Sequence, residues 1–284
     1  MGIRPKGYVG WDGELTSSRR RWLPIFRNGV RSVAKRKHSR LVFSLCAMPF
    51  FFFLALVYAI AKPELKMFTR LVAVLQTDAS LFNFVYTNGF VIFNLVVLSI
   101  FCGAGLISGD LRLRALPLYF SRPLSHTGYL AGKLSVILFY LLVFTLAPGV
   151  LILLFRMVFS GQLIVQPGLL LAIVVFPVLT GLFFASVTLF VSTLSERINF
   201  IWIMLVAVFF FSDAVAGILV GATRQRGWFL LSVTRNVRNA GTFFFNQGPD
   251  FGVDGFVSVV ILALVAALAV GMLYLRVRRA EERS

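Results

Sequence analysis

Residues 103–133, GAGLISGDLRLRALPLYFSRPLSHTGYLAGK, mark the point where an otherwise lipid-soluble chain turns to face water. No charge occurs from Gly89 to Gly109, and then Asp110, Arg112 and Arg114 arrive within five positions. An apolar run of that length followed by clustered charge is the end of a membrane span. The next apolar run starts at Leu134, and the residues between them hold a charged start, a Ser121-Arg122-Pro123 turn and a short amphipathic piece. This stretch reads as a docking element. Leu111, Leu113, Leu116 and Leu118 can bury in a partner's groove, while Asp110, Arg112, Arg114 and Arg122 fix register through charge-assisted contacts. Ser121 and Leu124 fall in the same surface, Pro123 stiffens the turn, and Ser125 can cap a helix leading through Tyr129 and Lys133 into the following span.

Working outward, the composition is that of a membrane protein. The 284 residues are 58% hydrophobic and 14% charged, with 31 Phe, and the mean hydropathy is +0.87. Soluble domains average about 45–50% apolar and about 25% charged. The net charge of +17 would attract any polyanion. Here, however, the basic residues flank apolar runs of spanning length, so anionic headgroups are the expected partner and nucleic acid is not. Cys46 and Cys102 both fall inside predicted spans as small apolar fillers, which gives neither a disulfide scaffold nor a metal-binding pair.

The periodicity predicts an all-α integral membrane protein with six transmembrane helices. They are placed near 41–61, 90–109, 134–155, 168–193, 200–222 and 255–275, each about twenty residues and so able to cross about 30 Å of hydrocarbon. Pro49 is expected to kink span one and Pro148-Gly149 to break span three. Residues 1–40 form a basic arm. Within it Trp22, Phe26, Val30 and Val33 line one face of a helix capped by Ser17 or Ser18 and lying in the interface, with Pro24 tolerable only in its first turn. Residues 41–275 form the membrane domain and 276–284 a basic tail.

Six spans put both termini on one side. The segments assigned inside (1–40, 110–133, 194–199 and 276–284) hold twenty of the 28 Lys and Arg residues, so that side is read as cytoplasmic. In the external loop 223–253, Trp228-Phe229-Leu230-Leu231 and Phe243-Phe244-Phe245 are too short to cross and are expected to dip in and return or to lie on the outer leaflet. Glu196 lies in a short cytoplasmic hairpin that offers a second, minor contact to a partner.

The Gly-rich end of span two, its acidic residue, the leucine-rich segment, Ser121-Arg122-Pro123-Leu124-Ser125, Tyr129 and Gly132-Lys133 resemble the type-2 ABC transporter permeases. The resemblance implies that the stretch is the coupling helix between spans two and three, touching a separate ABC ATPase subunit, and that an elbow helix precedes span one. It further implies a second permease copy or a sibling, a prokaryotic inner membrane, and export driven by ATP and magnesium bound on the partner.

The chain carries no engine of its own. A phosphate-cradling loop needs Gly-x-x-x-x-Gly-Lys-Ser/Thr. The nearest string, ending Gly132-Lys133-Leu134, has the wrong first spacing and no hydroxyl. Only His38 and His126 are present, and neither HExxH nor Gly-x-Ser-x-Gly occurs, so the expected status is not an enzyme, with no cofactor or metal in this chain. The one ionisable residue read as lying inside a span is Asp213, open to cargo contact, gating or a hydrogen bond from a neighbouring helix. The pairs Gly105/Gly109, Gly217/Gly221 and Ala267/Gly271 permit close helix approach. An ATP-independent carrier or channel, or a membrane scaffold that recruits a soluble protein, are the alternative readings.

Overall fold

A computed structural model describes residues 22–61, 75, 77–120, 124–160 and 166–282. The described residues are helical, without a strand. In chain order the helices are α1 (Leu23–Ala34), α2 (Ser39–Ala61), α3 (Asp78–Thr87), α4 (Gly89–Gly103), α5 (Ser108–Arg112), α6 (Leu116–Phe120), α7 (His126–Ser160) and α8 (Pro167–Ser192). They are followed by α9 (Ile198–Val206), a π-helical turn (Ala207–Phe211), α10 (Ser212–Thr223), a 3-10 turn (Arg226–Leu231), α11 (Val233–Phe244) and α12 (Gly255–Glu282).

Six helices are long and apolar enough to cross a membrane: Ser39–Ile60, Gly89–Arg112, His126–Phe159, Pro167–Ser192, Ile198–Thr223 and Gly255–Arg279. They match the six expected spans and make this a multi-pass membrane architecture. Spans two and four form the centre, 72% and 56% buried, whereas spans five and six are 17% and 22% buried and present most of their surface outward. In a bilayer such outward Phe, Leu and Val faces are solvated by lipid tails.

Pro148 does not break span three as expected: α7 runs unbroken from His126 to Ser160 with Pro148 inside it. Pro49 likewise lies within α2. A membrane helix tolerates the one lost hydrogen bond when its neighbours hold it in place. Span three also begins eight residues earlier than the hydropathy suggested. Ser125 Oγ accepts from the Gly128 amide at 3.1 Å, an N-cap that starts the helix before its apolar run.

The contacts sort the polar segments into two ends. At one end Arg36 donates to the Phe101 carbonyl, Arg276 to the Thr193 carbonyl at 3.0 Å, and Ser192 to the Ala104 carbonyl at 2.9 Å. At the other, Arg156 pairs with Asp78 at 2.8 Å, and Gly241 of α11 lies against Thr87 and Asn83 of α3. The loop 223–253 is not a loose flap. Its helix α11 is wedged into that end, where buried Asn239 donates to Val253, Asp254 and Ser258 and accepts from the Asp250 amide.

The amphipathic arm is α1. Pro24 sits in its first turn, as its missing donor requires, and Ser17 and Ser18 lie outside the described residues. The apolar face is taken up by protein. Phe26 packs edge-on to Phe139 at 5.7 Å, Tyr140 donates to the Val30 carbonyl at 2.8 Å, Trp22 lies against Phe26 and Val33 is fully buried. The crossing is close because Gly29 on α1 meets Val136 and Gly132 on α7 meets Ile25. A Cβ at either glycine would force the helices apart. Arg27, Arg31 and Lys35 stay exposed on the opposite arc.

Candidate functional site

The candidate site is the polar end of span two and the segment after it, built from the inside outward. Gly103 lets α4 approach α8 and α7 closely, since a Cβ there would strike Thr188 and Ile137. The helix then loosens over Ala104–Ile107 before α5. Such an interruption strands backbone groups that must find partners. Ser192 at the end of α8 supplies them: its Oγ donates to the Ala104 carbonyl at 2.9 Å and accepts from the Ser108 amide at 3.2 Å and the Ile107 amide at 3.4 Å. One hydroxyl thereby fastens the end of span two to the end of span four.

Helix α5 stops in a reverse turn. The Ala115 amide bonds the Asp110 carbonyl at 2.8 Å and the Arg114 amide the Leu111 carbonyl at 3.1 Å, the paired bonds of a Schellman cap. That cap needs a left-handed residue, and Arg114 fills the place at φ 48 where glycine is usual. The turn holds Arg112, Leu113 and Arg114 out from the surface, with Leu113 71% exposed.

Asp110 points the other way. Its Oδ2 lies 2.7 Å from Lys133 Nζ and accepts from the Tyr129 hydroxyl at 2.6 Å. Lys133 also donates to the Leu106 carbonyl at 2.8 Å and lies over the rings of Tyr129 and Tyr119 at 5.5 and 5.9 Å. Those rings sit 5.3 Å apart. The Lys133 and Asp110 side chains are 9% and 16% exposed, so this is a largely buried pair. Burial, and then the Asp110 charge, raise the Tyr119 phenol above the ordinary tyrosine value.

The positions expected to meet a partner therefore divide. Arg112 and Arg114 are exposed, as is Glu196 in the hairpin after α8, and Gly105 and Ile198 bring that hairpin beside the end of span two. Asp110 and Leu116 turn toward this chain itself. The Asp110 Oδ2 is spent on Lys133 and Tyr129, and Leu116, 3% exposed, is buried in this chain's own core. Leu124 is half-buried beside Gly128. Ser121, Arg122 and Pro123, and the side chain of Leu118, lie outside the described residues.

Asp213 faces the opposite end. It accepts from the Ser232 hydroxyl and from the Thr234 amide at 3.3 Å, reinforcing the N-terminus of α11, where Ser232 caps the Arg235 amide at 3.0 Å. Among the readings open for this residue, the hydrogen bond from a neighbouring helix is the one the geometry displays. The π-helical turn just before it carries an extra residue within the helix, which resets the faces of everything after it and brings Ser212 to the Val233 amide at 3.3 Å.

Cys46 and Cys102 are buried and free. Among the described residues no three His, Cys, Asp or Glu side chains converge as metal ligands. Gly217, Gly221 and Gly271 face open space rather than another helix of this chain, while Gly105 contacts Ile198 and Arg36. No family model and no curated protein matches this sequence.

Proposed function

We propose that this chain is the permease subunit of an ATP-driven transporter of the type-2 ABC kind, working in export, with both termini and the basic end of the bundle in the cytoplasm of a prokaryotic cell. The observation that carries the proposal is mechanical. An exposed Arg112-Leu113-Arg114 tip stands on a segment fastened through Asp110 to Lys133 and Tyr129 of span three and through Ala104, Ile107 and Ser108 to Ser192 of span four. Force applied at the tip is delivered to three spans together, because packed helices joined by buried polar bonds move as units.

In this reading separate ATPase subunits, holding ATP and magnesium, grip the tip, and Glu196, in the hairpin beside the end of span two, offers a second, minor contact. Helix α1 is the interfacial elbow, the segment between spans two and three carries the coupling helix, and a second permease copy or a sibling completes the pathway. The distribution of charge supports the orientation, since the end that carries α1, the tip and the tail is the basic one.

The test is purification of the tagged chain from its own host in mild detergent. A co-purifying soluble ATPase is expected, and R112E with R114E should release it while leaving the chain folded. An unchanged complex would remove the tip from the contact. Transport by the purified chain alone in vesicles would instead make it a carrier or channel.

A further inference from the structure

Spans one, two and three and helix α3 border a partly open cavity that the proposed function does not use. It measures about 30 Å³ and is lined by Cys46, Pro49, Phe53, Tyr86, Asn94 and Pro148, among others. No charged residue lines it. Asn94, on span two, is 5% exposed. Neither its Nδ2 nor its Oδ1 has a hydrogen-bond partner among the described residues, and it alone among them leaves a whole carboxamide unpaired. The other polar side chains at the wall are committed: the Tyr86 hydroxyl donates to the Ile173 carbonyl at 3.2 Å and the Thr145 hydroxyl to the Leu141 carbonyl at 2.7 Å.

A carboxamide offers two donors and an acceptor, and leaving all of them unpaired inside hydrocarbon is costly. Pro148 adds to the unmet demand, since it lacks the backbone donor that would have met the carbonyl four residues earlier. For Pro148 that carbonyl belongs to Phe144, itself a lining residue. A neutral ligand that both donates and accepts answers this set, and an ion does not. A bound water needs about 10–15 Å³ and two to four polar partners, so the cavity has room for one or two waters.

We propose that Asn94 binds ordered water inside the membrane domain, making a hydrated joint where spans one and three pass span two. The ligand is water itself, recognised by the Asn94 carboxamide. Because the joint is wet, spans one and three can exchange hydrogen bonds with water when they shift, where a dry joint would have to break them outright.

The experiment is radiolytic hydroxyl-radical footprinting of the full-length protein in lipid nanodiscs. Radicals form where water is bound, and the chain contains its own control. Cys46 lines the cavity and Cys102 does not; they are 5% and 0% exposed, so the comparison that decides is each cysteine's change between wild type and the Asn94 variants. In the wild type Cys46 should be modified severalfold faster than Cys102, with Tyr86 exceeding Phe184, another buried aromatic. In Asn94→Leu the Cys46 rate should fall while the Cys102 rate stays as it is. Asn94→Ala enlarges the cavity without the amide, and it too should lower Cys46 modification, since apolar cavities stay dry. Equal modification of the two cysteines in the wild type would overturn the proposal even if neither variant folds. Cys46 modification that stays high in both variants would remove Asn94 as the ligand.

Discussion

Neutralising both members of the Asp110–Lys133 pair should cost no more than neutralising either one alone. At 2.7 Å, with an effective dielectric constant of about 20, the attraction is about 6 kcal/mol before desolvation is subtracted. Removing one partner from a buried pair costs about 3–5 kcal/mol, because the other charge is stranded. Here the stranded group is partly consoled. Lys133 keeps the Leu106 carbonyl and two aromatic faces, and Asp110 keeps the Tyr129 hydroxyl, so each single change should cost about 2.5 kcal/mol, just below that range. The double variant leaves no buried charge and should be no worse than either single, giving a coupling energy of about 2.5 kcal/mol. At about 2–4 °C per kcal/mol, D110N and K133M should each lower Tm by about 5–10 °C. The assay is thermal unfolding by intrinsic fluorescence in nanodiscs, with far-UV circular dichroism confirming the helical fold of every variant. Additive losses in the double variant, or singles within about 1 °C of wild type, would refute a latch formed by Asp110, Lys133 and Tyr129.

Other expectations follow from single residues. Arg114→Gly relieves a left-handed arginine and should stabilise the protein by about 1 kcal/mol, read as a higher Tm, whereas a lower Tm would mean the Schellman turn is not formed in solution. Asp213→Ala removes the acceptor of Ser232 and Thr234 and should cost about 0.5–2 kcal/mol, as cap losses do. Its signature is faster protease cleavage confined to 224–232, and unchanged cleavage would sink the capping role. The Tyr119 phenol is held protonated by burial and by Asp110. The unfolded chain therefore loses that proton first, at about pH 10, and stability falls as pH rises above that value. Tyr119→Phe should flatten the alkaline loss, and an identical pH profile would contradict the burial of this ring.

Much of the architecture was legible because lipid enforces a simple rule: about twenty apolar residues, then charge. All six spans were readable on that basis, and so was Ser125 as a cap. The latch was not, although Asp110, Tyr129 and Lys133 were each conspicuous. Asp110 and Lys133 are 23 positions apart, and no periodicity tells a charge that faces a partner from one that folds back onto the next helix. The burial of Leu116 in this chain was hidden for the same reason, since a leucine-rich pattern marks an apolar face without saying whose groove receives it. Ser192 gave no signal either. Its role exists only because span two loosens at Ala104 within reach of span four, a contact between residues 88 positions apart. Asn94 was overlooked inside an apolar run whose average hydropathy hides a single amide.

The central claim is that the Arg112-Leu113-Arg114 tip faces the cytoplasm and is gripped by an ATPase. A photo-crosslinking residue placed at 113 in living cells, with a second at 226 on the other end of the bundle, tests it directly. The expected result is a crosslink from 113 to a soluble protein carrying a nucleotide-binding loop, and none to it from 226. A crosslink to that protein from 226 alone, or no partner at 113 while transport continues, would contradict it.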